Sequence, residues 1–231
     1  MTSSEPVQPC GTPGVGWWDK VGCYCERGMD PSLWAEPLNA FSNVAFFIAA
    51  LMAYTHLRAA RPASADRLFL ALILLTMVVG AGSFLFHTFA TRWAAAADVI
   101  PIGLFVLAYG GLAVRRFLGR PAWVAVLVAA VVTAATFLMP RGLNGSTLYL
   151  PALVLLAATA ILLWRRGHRI WPWMAGATAV FLLSLTLRTL DRTAFICGAH
   201  AVGSHWAWHV LNGLTLYMLL RAAIDSGRGA Q

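Results

Sequence analysis

His205 and His209 lie four residues apart at the start of an apolar stretch, so in a helix they project from one face and can hold one cation between them. Ser83 and His87 repeat that spacing near the end of an earlier apolar stretch. Three neutral imidazoles plus a solvent molecule make an open tetrahedral zinc site, in which the metal draws the pKa of water toward about 7 and polarises a carbonyl. Asp98 is the one carboxylate of nine that falls within an apolar run. It is suited to take the water's proton, and Ser83 to donate a hydrogen bond to a developing oxyanion. Each histidine alone has a plainer reading as a packing or hydrogen-bonding residue, and a pair at this spacing also occurs on helix faces that hold no metal. The conjunction of pair, third histidine and carboxylate sets a metal site on an equal footing with its plain alternative, a polar network tying three helices together. Bis-histidine haem or a proton path is a weaker reading of the same groups.

These side chains must be positioned by membrane helices. Of 231 residues, 59% are hydrophobic and 11% charged, and the mean hydropathy is +0.70, a composition foreign to soluble domains. A helix needs roughly 20 mostly apolar residues to cross the hydrocarbon core. Such stretches fall near 40–57, 68–89, 93–113, 122–139, 146–164, 171–189 and 204–221, which predicts an all-α, integral membrane bundle of seven transmembrane helices. The expected division is an exterior segment over 1–39, a membrane domain over 40–221 and a cytoplasmic tail over 222–231. Pro101 and Pro151 fall inside spans and are expected to kink them. Because successive helices alternate direction, the end of the second span at His87, the start of the third before Asp98 and the start of the seventh at His205 share one membrane side. An ionisable group within a span costs several kcal/mol on insertion scales of about +2.5 to +3.5 per charged residue, so a convergent set needs a purpose.

The net charge of +8 comes from 16 Arg and one Lys spread over loops, which gives no continuous face for nucleic acid. It reports topology instead. One set of loops carries Arg58, Arg61, Arg67, Arg115, Arg116, Arg120, Arg165, Arg166, Arg169, Arg221 and Arg228; the other carries Lys20, Arg27, Arg92, Arg141, Arg188 and Arg192. The positive-inside bias puts the N-terminus outside and the C-terminus in the cytoplasm. Cys10, Cys23, Cys25 and Cys197 all fall on the outer side, where an even number of thiols reads as one or two disulfides, and four cysteines allow three fully paired arrangements. His56 and His168 lie among arginines on the inner side and read as solvated; His200 sits in a loop nearer the cluster. The preference for Arg over Lys points to a GC-rich bacterial genome, and hence to a bacterial inner membrane.

Ahead of the first span, Glu26, Asp30 and Glu36 with Asn39, Ser42 and Asn43 form an oxygen-rich stretch able to ligate calcium. The same groups can instead cap the first helix or bond a neighbouring one.

The order of these residues resembles the alkaline ceramidase family. Tyr-Cys-Glu at 24–26, Ala-Glu-Pro-Leu-Asn-Ala-Phe-Ser-Asn at 35–43, Ser-Phe-Leu-Phe-His-Thr at 83–88, Asp98, Leu-Asp-Arg-Thr-Ala-Phe-Ile-Cys at 190–197 and His-Trp-Ala-Trp-His at 205–209 carry the likeness. The family comprises seven-helix membrane amidases that cleave ceramides into a sphingoid base and a fatty acid, in a superfamily that includes adiponectin receptors. The resemblance implies zinc on His87, His205 and His209, with Ser83 and Asp98 catalytic. It implies a Cys25–Cys197 disulfide, leaving Cys10 and Cys23 as a second pair. It also implies a calcium site with Glu26, Glu36 and the main chain of Tyr24 as ligands. The pattern departs where Cys23 stands for Asp and Gly28 for Asn, and the spacing from Glu26 to Glu36 is one residue shorter. The expected partner is a membrane lipid, ceramide or another N-acyl lipid, with no nucleic acid and no obligatory protein partner. The opposing reading is a receptor-like or lipid-binding protein with a structural metal.

Overall fold

The computed structural model describes residues 16–22, 24–60, 67–199 and 202–227. The helices are α1 (Pro37–Ser42), α2 (Val44–Ala60), α3 (Arg67–Phe89), α4 (Arg92–Leu112), α5 (Ala122–Leu138), α6 (Leu150–Arg165), α7 (Trp171–Leu190), α8 (Ala194–Ala199) and α9 (His205–Ser226). Among the described residues, the only β pairing is a single bridge between Lys20 and Thr91. The chain is therefore an all-α membrane bundle. Five helical segments are long and apolar enough to cross a membrane, and α5 is a shorter apolar helix. The long helix α9 is less apolar because it carries His205, His209, Asn212 and Thr215.

Each of α2 to α7 packs on the next, and α9 closes the ring by packing on both α7 and α2. Leu51, Leu74, Ile100, Val126, Phe137 and Leu183 are exposed on the outside of this ring, the apolar surface that a bilayer covers. The buried cluster includes Phe69, Leu72, Tyr109, Leu163, Met174 and Leu220, toward the face opposite the histidines.

Two corrections concern the spans. Pro151 does not kink a span, because α6 starts at Leu150 and the proline occupies its first turn, where a missing N–H costs no helical hydrogen bond. The preceding residues Leu143–Tyr149 form a 3-10 segment broken by Asn144 and Gly145 at positive φ. By contrast α4 runs through Pro101 without ending. At the other end of the chain, α9 extends to Ser226, beyond the expected limit at 221.

Two glycines set the helix crossings nearest the histidines. A Cβ on Gly82 would lie 2.0 Å from the carbonyl oxygen of Ala97, and one on Gly213 would lie 2.9 Å from the backbone of Ala45. At Gly82 the α3 backbone thus touches α4 one residue before Asp98, which brings Ser83 beside that carboxylate. Gly82→Ala is expected to force α3 and α4 apart, costing about 1–3 kcal/mol or more by overpacking and separating the two side chains. Its thermal unfolding in detergent, measured beside its turnover, checks this; an unchanged melting temperature with full turnover would mean that the crossing does not set the site.

Candidate metal centre

His87 lies in the last turn of α3, His205 is the first residue of α9, and His209 follows one turn later. All three are buried, and one ligand nitrogen from each lies within 4.8 Å of the others. His87 Nε2 and His205 Nδ1 are buried with no hydrogen-bond partner among the described residues. Burying an unpaired imidazole nitrogen costs on the order of 1–3 kcal/mol, a penalty that a metal bond removes. The remaining contacts hold the rings. His87 Nδ1 is bonded to Glu36 Oε2, and His209 Nδ1 lies 2.7 Å from Ser42 Oγ. A carboxylate or hydroxyl behind the far ring nitrogen fixes tautomer and orientation, as in known zinc centres. The donor set therefore fits a zinc ion.

Ser83 Oγ lies 3.5 Å from His209 Nε2, and Ser83 lines the same cavity as Asp98. Ser83, Asp98 and His209 line a largely apolar cavity of about 110 Å³ inside the helix ring, walled by residues such as Phe46, Phe105 and Trp208.

The supports come from segments distant in sequence. Asp191, 1% exposed, accepts the N–H groups of Ser204 and His205 on Oδ1 at 2.7 and 2.8 Å and that of Cys25 on Oδ2 at 3.0 Å. It thereby caps α9 and ties it to the N-terminal segment. The Cys25–Cys197 disulfide ties the N-terminal segment to α8, just ahead of α9; the pairing expected of Cys10 and Cys23 lies outside the described residues. The Tyr24 ring stacks on His205 with centroids 3.7 Å apart. Burial pushes its phenol up, only partly offset by Arg188.

The oxygen-rich stretch is arranged differently from the expected calcium site. Glu36, 2% exposed, receives Arg27 Nε on Oε1 at 2.5 Å, and His87 and Asn39 on Oε2. Burial opposes its charge, but His87 and Arg27 hold its carboxyl below the usual range. Both oxygens of Glu26 accept backbone N–H groups at the start of α1, from Leu38 at 2.7 Å and Asn39 at 2.8 Å. Burial raises the Glu26 carboxyl against these bonds. The Tyr24 carbonyl accepts the Gly28 N–H. A calcium ion wants six to eight free oxygen ligands, and this donor set does not fit one.

Other expectations also change. Arg188, counted among loop charges, lies inside α7, where it bonds the Asn144 carbonyl and Ser146 Oγ and sits over the rings of Tyr149 and Trp208. His56 is not solvated. Its Nε2 lies 2.8 Å from Asp225 Oδ1, and the side chain is 12% exposed. His168, half-buried in the turn after α6, accepts the Ile170 N–H on Nδ1. His200 lies outside the described residues. Sequence reading missed Arg27, Asp191 and Arg188 as supports, since each earns its place through partners 9 to 166 residues away. The one available signal was the excess of charge in the segments flanking the histidines.

The model of the family described as Ceramidase matches residues 24–225, nearly the whole chain. Among curated proteins none matches it.

Proposed function

Because this chain belongs to the ceramidase family, we propose that it is a zinc-dependent intramembrane amidase, hydrolysing the N-acyl amide of ceramide or a related N-acyl lipid to a free amine base and a fatty acid. The observation that carries this reading is the convergence of three buried imidazoles, two with nitrogens unpartnered among the described residues, beside a largely apolar cavity lined by Ser83 and Asp98.

Zinc held by His87, His205 and His209 would supply Lewis-acid polarisation of the amide carbonyl and a more acidic water. The apolar cavity takes the acyl chain and keeps the reacting amide from bulk water. Asp98 accepts the proton of the attacking water and returns it to the leaving amine as the C–N bond breaks. Ser83 donates a hydrogen bond from its hydroxyl to the oxyanion that forms at the carbonyl. Glu36 and Ser42 hold His87 and His209 in place, and Tyr24 packs against the His205 ring.

In this reading the segment up to residue 39 lies outside and the tail from 222 lies in the cytoplasm of a bacterial inner membrane. The loop arginines support that orientation. So does the Cys25–Cys197 disulfide on the opposite side, as oxidising compartments retain such bonds.

The test is mass spectrometry of lipid products after incubating zinc-loaded protein in detergent with ceramides and other N-acyl lipids. Base and fatty acid should appear in equal amounts with the wild type and not with Asp98→Asn. Tight lipid binding with no product from any N-acyl lipid would replace this reading by the receptor-like one.

A further inference from the structure

A buried guanidinium stands in the oxygen-rich pocket ahead of α1. Arg27, 6% exposed, donates from Nε to Glu36 Oε1 at 2.5 Å, from Nη1 to the carbonyls of Asp30 at 3.2 Å and Ser32 at 2.7 Å, and from Nη2 to the His87 carbonyl at 3.0 Å. Four oxygens from three segments thus converge on one fixed cation. The neighbouring carboxylates are already engaged within the chain: Glu36 Oε2 binds His87 and Asn39, both Glu26 oxygens accept N–H groups of the α1 backbone, and Asp30 Oδ1 accepts the Ser32 N–H at 2.8 Å.

We propose that Arg27 is the resident cation of this pocket, in place of calcium, and that it positions His87 so that the metal centre is built without a calcium ion. The sequence changes at this site point the same way. Two oxygen-bearing positions of the family pattern are Cys23 and Gly28 here, while Arg27 between them supplies a positive charge from within the chain. One guanidinium neutralises one carboxylate, so the Arg27 and Glu36 pair is already balanced, and a divalent ion entering the pocket would meet a fixed positive charge. A planar fork with five donors can also bond several oxygens at once, as a carboxylate and three carbonyls require. Arg27 reaches His87 twice. It bonds the main-chain carbonyl directly, and it fixes the Glu36 carboxylate that in turn holds His87 Nδ1. Arg27 is thereby a positioning residue for a metal ligand, fixed through the outer hydrogen-bond partner on which metal affinity depends.

The experiment measures calcium directly and so answers whether or not the protein cleaves lipid. Purified zinc-loaded protein is analysed for calcium by elemental mass spectrometry. It is then titrated with terbium, an oxygen-seeking calcium surrogate whose emission nearby Tyr24 and Trp34 would sensitise. The wild type should contain no stoichiometric calcium and show no calcium-displaceable terbium emission. Arg27→Ala should bind terbium in the opened pocket and lose zinc affinity by about 10–100-fold, a loss that millimolar calcium restores. Arg27→Lys should resemble the wild type in excluding terbium. Wild-type protein that carries one calcium per chain overturns the proposal, and this measurement stands even where Arg27→Ala fails to fold. An Arg27→Ala variant that melts cooperatively yet takes up no terbium overturns it as well.

Discussion

His205→Ala, purified from zinc-replete medium, is expected to carry far less than one zinc per chain and to hydrolyse no N-acyl lipid. Removing an outer hydrogen-bond partner of a metal ligand costs roughly 10–100-fold in affinity, and removing one of three ligands should cost well beyond that. The substitution is local. The backbone N–H of residue 205 still reaches Asp191, so the cap on α9 persists, and Ala is a good helix former. What goes is the ring that stacks on Tyr24 and brings an unpartnered nitrogen toward His87 and His209. Two readouts check this apart from activity. Metal content should fall, and zinc should no longer raise the melting temperature, since stabilisation by a ligand scales with its occupancy of the folded state. A variant that retains one zinc per chain would show that the three histidines do not form the centre.

How much of this was legible in the sequence depends on the range of the contact. Periodic apolar runs mark spans by themselves, so the seven expected helices correspond to helices α2 to α7 and α9 with small shifts at their ends. The histidine pair is local, fixed by a helix repeat. The depth argument, which needs only alternating helix direction, brings His87 and Asp98 to the same end. Beyond that, sequence patterns fail for identifiable reasons. Arg188 reads as a loop charge because it lies two residues before the end of α7, yet it is covered by Tyr149 and Trp208 from elsewhere in the chain. His56 reads as solvated because its partner Asp225 is 169 residues away. Pro151 reads as a kink because the left-handed turn at Asn144 and Gly145 leaves no mark in the hydropathy.

The oxygen-rich stretch shows the same limit from another side. Composition presents Glu26, Asp30 and Glu36 as ligands without a cation, and the family resemblance supplies calcium. A second candidate cation was in the sequence all along as Arg27, but a cation among carboxylates looks like an ordinary surface ion pair until its burial is known. Only the fold shows that Arg27 and Glu36 are 4% and 2% exposed at their side chains and both bond His87. Charge balance at this depth is decided by partners, since an uncompensated buried charge is strongly unfavourable.

Asp98→Asn separates chemistry from metal binding, and its expected phenotype differs from that of His205→Ala. The amide has nearly the shape of the carboxylate, so the α3 and α4 contact at Gly82 should survive. Asp98 is not among the three groups whose nitrogens converge, so zinc content should stay at the wild-type level. What the amide cannot do is take a proton from water, and general-base catalysis of this kind is typically worth about 10²- to 10⁴-fold. Turnover should fall by that factor, while binding of the N-acyl lipid in the apolar cavity persists. Ser83→Ala should lose less proton-transfer power but still about 10²- to 10³-fold if its hydroxyl meets the oxyanion. Metal analysis, lipid binding and product mass spectrometry on the same preparations distinguish the outcomes. If Asp98→Asn hydrolyses at the wild-type rate with zinc bound, Asp98 is not the base, and the proton must leave through another group lining the cavity.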